Sequence, residues 1–471
     1  MSIDAIVAHL REHQDEAIER LGELLRIESI STDPARAADC GRAARWLCDD
    51  LRRLGLDAHV VPTGGHAAVI GRHTTAGSRA PTVLLYGHYD VQPAEPLEPW
   101  RSDPFDPQVR DRDAAGRPAP PGGVIIARGS ADNKGQHMAL LAAVAAHVAV
   151  NGSLPVNLKV LIEGEEEIGS PHLASLIQQR RDDLAADVVV LADASVGRNG
   201  APAIHLSARG IVYATVTITG AKSDLHSGIF GGVVANPANA LARLLGGLHD
   251  AAGRVRLEGF YDGVDEPTDA QRRQLDALGV DDAELAREAG VTALGGGEAD
   301  RPALQRCWYR PTCDVNGLAG GYQGPGAKTI IPAQAVGKVS FRLVGRQDPD
   351  RIAQSLRRYA QAQLADAPGL SATVELEHGA RAWQADPAHS AFAAMAEAIR
   401  QTCSAEPAWV GEGGSLPILA QFKSLLGAES VFIGLSRRDC NLHGPNEKFN
   451  VADFHTGTQV FARFLSLLSA G

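Results

Sequence analysis

The residues of this sequence best suited to chemistry are two histidines and several acidic residues that are far apart along the chain. The set comprises His88, Asp90, Asp132, Glu166, Glu167, Asp193 and His443. Most of them follow short apolar runs that are typical of buried strands, and Asp132 lies just before a predicted helix. Because sites in open α/β sheets form outside the carboxyl ends of the strands, we expect these side chains to converge at one sheet edge.

So many acidic groups in one place would repel each other, and bound cations would offset this repulsion. One ion does not need so many anionic ligands, whereas two ions about 3.5–4 Å apart that share a carboxylate do. With Asp132 as the shared ligand, each ion gains one histidine and one further carboxylate and keeps an open position for water. The sequence therefore predicts two divalent ions per subunit; the mixed donors favour zinc, with manganese or cobalt as alternatives.

The elements that must position these residues alternate between strands and helices. The predicted strands lie at 83–86, 157–162, 187–191 and 431–433, and the predicted helices at 41–54, 136–150, 171–179 and 451–468. Such alternation is typical of a mostly parallel sheet covered by helices. The first predicted domain is therefore of the α/β class.

A second kind of pattern interrupts the first. Between residues 210 and 382, segments of period two alternate with helical segments in a β-α-β-β-α-β order, which predicts an inserted α+β (ferredoxin-like) domain. The predicted domains are 1–209 and 383–471, which together form the catalytic part, and 210–382, the insertion. Residues 262–302 are polar and rich in Gly and Asp, and we expect an irregular excursion there.

Composition excludes several classes of partner. The 471 residues carry a net charge of −11, which disfavours nucleic acid because phosphate binding needs a basic face. No apolar stretch is long enough to span a membrane, and the charged N-terminus lacks the apolar segment of a signal peptide. The six cysteines form no C-x-x-C pair and are expected to be reduced, so the predicted location is the cytoplasm.

Seven motifs, taken together and in order, resemble one known family. They are GHYDVQP (87–93), GSADNKG (129–135), EGEEEIGS (163–170), SDLHSG (223–228), GAKTIIP (326–332), EGGS (412–415) and HGPNE (443–447). The chain resembles the M20 metallopeptidases, and most of all their dipeptidase branch, the carnosinase-like and Cys-Gly dipeptidases. The resemblance spans nearly the whole chain. It implies a dinuclear metallopeptidase domain with an inserted lid and dimerisation domain.

The resemblance also implies a role for each residue of the acidic set. It places His88, Asp132 and Asp193 around one ion, and Asp132, Glu167 and His443 around the other. By itself the run 165–167 is ambiguous in register, but the E-G-x-E-E-x-G-S spacing makes Glu166 the general base that acts on a water bridging the metals. Asp90 matches the carboxylate that orients His88.

Residues of the inserted domain are implied to bind the substrate. Arg342 matches the arginine that binds the substrate carboxylate, and Gly414 and Ser415 are expected to line the same pocket. His226 matches the histidine that polarises the scissile carbonyl from the neighbouring subunit, and Thr329 is expected to cross the interface similarly. These matches imply a homodimer joined through the inserted domain.

The predicted function is metal-dependent hydrolysis of the peptide bond of dipeptides. A related amidohydrolase that removes the acyl group from N-acyl amino acids would use the same metals and base, and it is the nearest alternative. A catalytically inactive relative with a binding role is the third interpretation. It is disfavoured because every predicted ligand and the base are present.

Overall fold

A computed structural model describes residues 2–469, and the chain divides into two compact units. The first unit runs from the N-terminal helix through Leu206 and also contains Ala385–Val410 and the chain from Gln421 onwards. The second unit contains Ser207–Gln384 and Gly411–Ala420. The first unit is therefore built from segments that are distant in sequence.

A mixed sheet forms the centre of the first unit. Across the sheet its strands follow the order Asp57–Val61, Ala68–His73, Asn157–Glu163, Thr82–His88, Val188–Ala192, Glu429–Gly434 and Ala203–Ala208. The four strands from Asn157–Glu163 to Glu429–Gly434 pair in parallel, and the outer strands pair antiparallel to them. The central strand Val188–Ala192 is buried at every residue, as expected when helices cover both faces of a parallel sheet.

The helices of the first unit cover its central sheet. They are Ile3–Glu12, Gln14–Leu25, Ala37–Arg53, Lys134–Asn151, Leu173–Gln179, Arg181–Leu184, Ser390–Cys403 and Val451–Leu468, with 3₁₀ turns at Pro34–Arg36 and Glu166–Ile168 and a π-helical turn at Phe422–Leu426. A small antiparallel sheet contains Gln108–Arg110, Val124–Ile126 and Lys448–Asn450.

The helix Lys134–Asn151 matters most for the site because it begins directly after Asp132 and Asn133. Its Ala, Leu and Val residues are buried along most of its length, and it packs against the sheet and against Val451–Leu468. It ends at Gly152, whose φ of 71° is the left-handed conformation that favours glycine after a helix. Tight packing on both sides fixes the loop that precedes the helix.

The second unit has a four-stranded antiparallel sheet. Its strands follow the order Thr312–Gly320, Gln334–Leu343, Gly210–Thr219 and Ser371–Ala380, and they form a β-α-β-β-α-β set with the helices Pro237–Gly246 and Pro349–Gln363. This is the predicted ferredoxin-like α+β arrangement. Alternate residues of Gly210–Thr219 are buried against these two helices, in a core that includes Val212, Val216 and Phe341.

Shorter elements complete the second unit. They are the strands Leu225–His226, Ile330–Ile331 and Trp383–Gln384 and the helices Ser227–Phe230, Asp269–Ala277, Asp282–Glu288, Ala303–Tyr309 and Pro417–Gln421; one further strand, Ala408–Glu412, runs from the first unit into the second. The predicted excursion at 262–302 contains two of these helices. Among the residues that the structure describes, no helix combines the length and apolar character needed to cross a bilayer.

One segment differs from the sequence prediction. We expected 383–471 to lie wholly with the catalytic part, but Gly411–Ala420 belongs to the second unit. The reason is a set of hydrogen bonds: the Arg209 backbone N–H donates to Gly414 O at 3.0 Å, and its Nε donates to Gly413 O at 2.7 Å. Ser415 Oγ also donates to Gly210 O at 3.1 Å.

Candidate metal centre

The acidic set converges at the carboxyl ends of neighbouring parallel strands of the first unit. His88 is the last residue of its strand and pairs with Glu163, the last residue of the adjoining strand. Asp193 follows the next strand directly, and Glu166 and Glu167 lie in the 3₁₀ turn after Glu163. The parallel pairing therefore brings residues that are about a hundred positions apart to one sheet edge.

His88 is fully buried, and its two ring nitrogens face different groups. Nδ1 lies 3.0 Å from the carbonyl oxygen of Asp90 and 3.3 Å from its Oδ1. Nε2 is buried without a hydrogen-bond partner and points at two carboxylates, 3.2 Å from Asp132 Oδ1 and 3.8 Å from Asp193 Oδ2. A buried imidazole nitrogen aimed at carboxylates, with its other nitrogen held, is the arrangement of a metal-binding histidine.

His443 has a matching position on the other side of Asp132. Its Nε2 lies 3.0 Å from Asp132 Oδ2 and 3.3 Å from Glu167 Oε2. The ligand atoms thus form two groups that could each hold an ion, His88 with Asp132 and Asp193, and Asp132 with Glu167 and His443. Because each oxygen of Asp132 faces a different histidine, this carboxylate is shared between the groups.

The electrostatics of the cluster show an excess of negative charge. Burial raises the pKa of Asp193 to about 7, and the charge of Asp132 acts in the same direction. Burial also raises the pKa of Glu166 well above its usual range; His88 opposes this shift, and Asp193 adds to it. Burial alone would raise the pKa of Asp132 too, but hydrogen bonds from His443 and His88 lower it. The donor set therefore fits two divalent cations, whose charge would offset this repulsion.

The three consecutive glutamates point in different directions. The side chain of Glu165 faces away from the cluster, because its Oε1 accepts the His66 backbone N–H at 3.1 Å and its Oε2 lies 2.8 Å from His172 Nδ1. Glu166 Oε2 lies 4.0 Å from His88 Nε2, and Glu167 belongs to the second group of ligand atoms. Each of the three side chains therefore faces a different set of groups.

Asp90 has a further contact that the sequence did not indicate. Its Oδ1 accepts the Glu166 backbone N–H at 3.2 Å, and its Oδ2 accepts that of Glu167 at 3.1 Å. One carboxylate therefore supports both the His88 ring and the turn that carries the two glutamates.

Sequence reasoning also missed residues that hold the cluster. Asn133 Nδ2 donates to Asp193 Oδ1 at 2.8 Å, and Gln92 Nε2 donates to Glu167 Oε2 at 2.8 Å. Glu447 Oε1 accepts the Asp132 backbone N–H at 3.0 Å, and Glu447 pairs with Arg128. All four lie inside or beside the quoted motifs, so their position near the ligands was the available signal.

In the second unit, the predicted substrate-binding residues form two groups. Arg342 Nη1 donates to Ser415 Oγ at 2.7 Å, and Gly414 is the neighbour of Ser415. Burial lowers the pKa of Arg342, while Asp314 and Glu412 oppose the shift. In the other group, His226 pairs with Ile330 in a short antiparallel ladder, next to Thr329. Both His226 and Thr329 are exposed.

Comparison with known proteins identifies the family. The model of "Peptidase family M20/M25/M40" matches residues 84–467. The Cys-Gly metallodipeptidase DUG1 of Candida albicans is 31% identical over 97% of this chain and 95% of its own length. The structure of human carnosine dipeptidase 1 is 29% identical, with a TM-score of 0.81, and the match covers all of both chains. An M20 family metallo-carboxypeptidase of Sulfolobus solfataricus is 31% identical over 97% of this chain and all of its own, with a TM-score of 0.85. The chain belongs to peptidase family M20/M25/M40.

Proposed function

We propose that this peptidase hydrolyses dipeptides with the help of two divalent metal ions. The observation that carries the proposal is Asp132, whose two carboxylate oxygens face the ring nitrogens of two different histidines. The relatives named as dipeptidases, which match over nearly their full lengths, support the choice of substrate.

His88, Asp132 and Asp193 would hold one ion, and Asp132, Glu167 and His443 the other. The donors fit zinc, with manganese or cobalt as alternatives. When bound, such ions polarise a substrate carbonyl and lower the pKa of water.

Glu166 is the proposed general base. It lies beside the ligand cluster without belonging to either three-residue group, so its carboxylate stays available for proton transfer. In this role it accepts a proton from the attacking water and passes it to the nitrogen of the leaving amine. Asp90 is a positioning residue in this proposal, because it orients the His88 ring and holds the backbone of the turn that carries Glu166.

Arg342 is the proposed ligand of the substrate carboxylate, with Ser415 and Gly414 beside it. A guanidinium can bind a carboxylate through two parallel hydrogen bonds, which fixes the end of a short peptide. Recognition of a free carboxylate next to the scissile bond would direct hydrolysis to the last peptide bond of the substrate, which is the single peptide bond of a dipeptide.

We also propose a homodimer in which His226 and Thr329 act in the neighbouring subunit's site. Both are exposed, and the apolar side chains of Ile229, Phe230 and Val233 just after His226 are exposed as well. An exposed apolar group on a folded unit is typical of an interface. His226 would stabilise the developing negative charge on the scissile carbonyl oxygen.

The cytoplasmic location predicted from the sequence stays a prediction. All six cysteines are free, which supports a reducing compartment.

Two other activities are distinguished by one experiment. The similarity to a metallo-carboxypeptidase favours a second candidate, removal of the C-terminal residue from longer peptides. The third candidate is deacylation of N-acyl amino acids. The purified protein, loaded in turn with Zn²⁺, Mn²⁺ and Co²⁺, is assayed with Cys-Gly and β-Ala-His, with unblocked longer peptides, and with N-acetyl amino acids. We expect turnover of the dipeptides; turnover of only one of the other two classes would replace the proposal by that activity.

A further inference from the structure

Among the residues that the structure describes, Arg128 and Glu447 form a buried ion pair next to the loops of the proposed metal ligands. Arg128 Nη1 donates to Glu447 Oε2 at 2.8 Å, and the two side chains are 2% and 0% exposed. Burying two opposite charges is costly unless hydrogen bonds satisfy their remaining atoms. Here most of the partners are backbone groups of loops that carry proposed metal ligands, whereas Arg128 Nε has no hydrogen-bond partner among the described residues.

The Glu447 carboxylate accepts four hydrogen bonds. Its Oε1 accepts the backbone N–H groups of Ala131 at 2.8 Å and Asp132 at 3.0 Å. Its Oε2 accepts the N–H of Gly129 at 2.9 Å in addition to Arg128 Nη1. With about four lone-pair positions on a carboxylate, this one is fully used. Glu447 therefore fixes the backbone of the loop that presents the Asp132 side chain.

Arg128 extends the connection to two more loops. Its Nη2 donates to the carbonyl oxygen of His443 at 3.0 Å and to that of Pro93 at 3.0 Å. His443 is a proposed ligand, and Pro93 ends the GHYDVQP segment that begins beside His88. One guanidinium thus connects the loops of His88, Asp132 and His443.

We propose that Arg128 and Glu447 are positioning residues that set the affinity of the protein for both metal ions. The inference rests on the proposed metal centre and deepens it. Because Asp132 is shared, a shift of its loop changes both ligand groups, and the same pair also holds the backbone of His443. Loss of a partner that orients metal ligands typically lowers metal affinity about 10- to 100-fold.

Glu447→Gln is the sharpest test because it keeps size and shape. Each oxygen of Glu447 accepts two donors, so either orientation of the amide places its NH₂ group against two N–H groups. Glu298→Gln is the matched control: Glu298 forms a buried pair with Arg310 in the second unit, with Arg310 Nη2 donating to Glu298 Oε1 at 2.9 Å. It undergoes the same chemical change in the same kind of pair, in the unit that contains none of the proposed metal ligands.

The full-length, metal-loaded proteins are dialysed against buffers of graded free Mn²⁺ or Zn²⁺, and bound metal and melting temperature are measured. We expect both variants to melt earlier, but only Glu447→Gln to need about tenfold more free metal for half occupancy. Excess metal should restore most of its kcat. Equal half occupancy in Glu447→Gln and wild type, within about twofold, would overturn the inference.

A second variant keeps the test decisive if Glu447→Gln does not fold. Arg128→Lys retains the charge, but one ammonium group cannot replace both guanidinium nitrogens, and we expect the same loss of affinity. If wild type itself holds no metal, the proposed metal centre fails and the inference fails with it. If wild type holds two ions, and Glu447→Gln and Arg128→Lys reach half occupancy at the same free metal concentration as wild type, only the inference fails.

Discussion

Substitution of the three consecutive glutamates, one at a time, tests the proposed division of roles. Glu166→Gln preserves the size of the side chain and the backbone N–H that donates to Asp90 Oδ1. It removes no member of either ligand group, so both ions should stay bound. It does remove the carboxylate that would accept the proton of the attacking water. General-base catalysis is worth about 10²- to 10⁴-fold, or about 3 to 5 kcal/mol in the barrier, so kcat should fall by that factor.

The neighbouring glutamates provide matched controls for this substitution. Glu165 faces His66 and His172, so Glu165→Gln should retain most of kcat and both ions, at some cost in stability. Glu167 lies within reach of His443, so Glu167→Gln should lose metal from the second group. Each variant replaces one carboxylate oxygen with an amide NH₂ group. The three variants therefore differ only in the groups that the changed side chain faces.

The assay combines kcat for a dipeptide at saturating metal with metal content after dialysis and gel filtration. Two results would refute the reasoning. If Glu166→Gln loses metal while Glu167→Gln keeps it, the roles of the two residues are reversed. If Glu166→Gln keeps wild-type kcat with both ions bound, the base is another residue.

Three further predictions concern binding, assembly and pH. Arg342→Met should raise KM for a dipeptide about 10- to 100-fold, but change KM little for the same dipeptide with an amidated C-terminus, which initial-rate kinetics will show. His226→Ala and Glu166→Gln should each be inactive alone, yet mixed and reassociated subunits should recover on the order of a quarter of wild-type activity if His226 acts in the partner's site. Burial alone would raise the pKa of Asp113, but hydrogen bonds from Arg117 and Lys448 lower it to about 2, below its value in the unfolded chain. Its charge therefore stabilises the fold above pH about 4, and this contribution is lost as pH falls towards 2; Asp113→Asn should flatten that part of the stability curve, measured by urea unfolding with chelator present.

Much of the fold was predictable because its strands are buried and short. The apolar run 187–191 predicted the central strand, which the structure places at Val188–Ala192, and the last helix was expected at its observed bounds, Val451–Leu468. The association of Gly411–Ala420 with the second unit was not predictable. It depends on hydrogen bonds to Arg209 and Gly210, about 200 residues earlier, and these bonds leave no periodic pattern.

The residues proposed to bind metal were easier to find than the residues that hold them. Side-chain ligands of zinc and similar ions are mostly His, Cys, Asp and Glu, so residue type and the position after a strand restrict the choice. A support such as Asn133 can be any residue with an amide or hydroxyl group in reach, and its role is fixed only by distance. Its Nδ2 lies 2.8 Å from Asp193 Oδ1, a contact across 60 residues of chain.

Asp90 and Glu447, two acidic residues next to the proposed ligands, show why acidity alone does not identify a ligand. Asp90 accepts the N–H groups of Glu166 and Glu167, and Glu447 accepts those of Gly129, Ala131 and Asp132. Every residue except proline offers such an N–H, so nothing in the sequence marks the donor. A carboxylate whose lone pairs are engaged in this way has little left to offer a cation. The carboxylates of Asp132, Asp193 and Glu167 instead lie close to imidazoles and to one another, and a bound cation would offset the repulsion that remains between them.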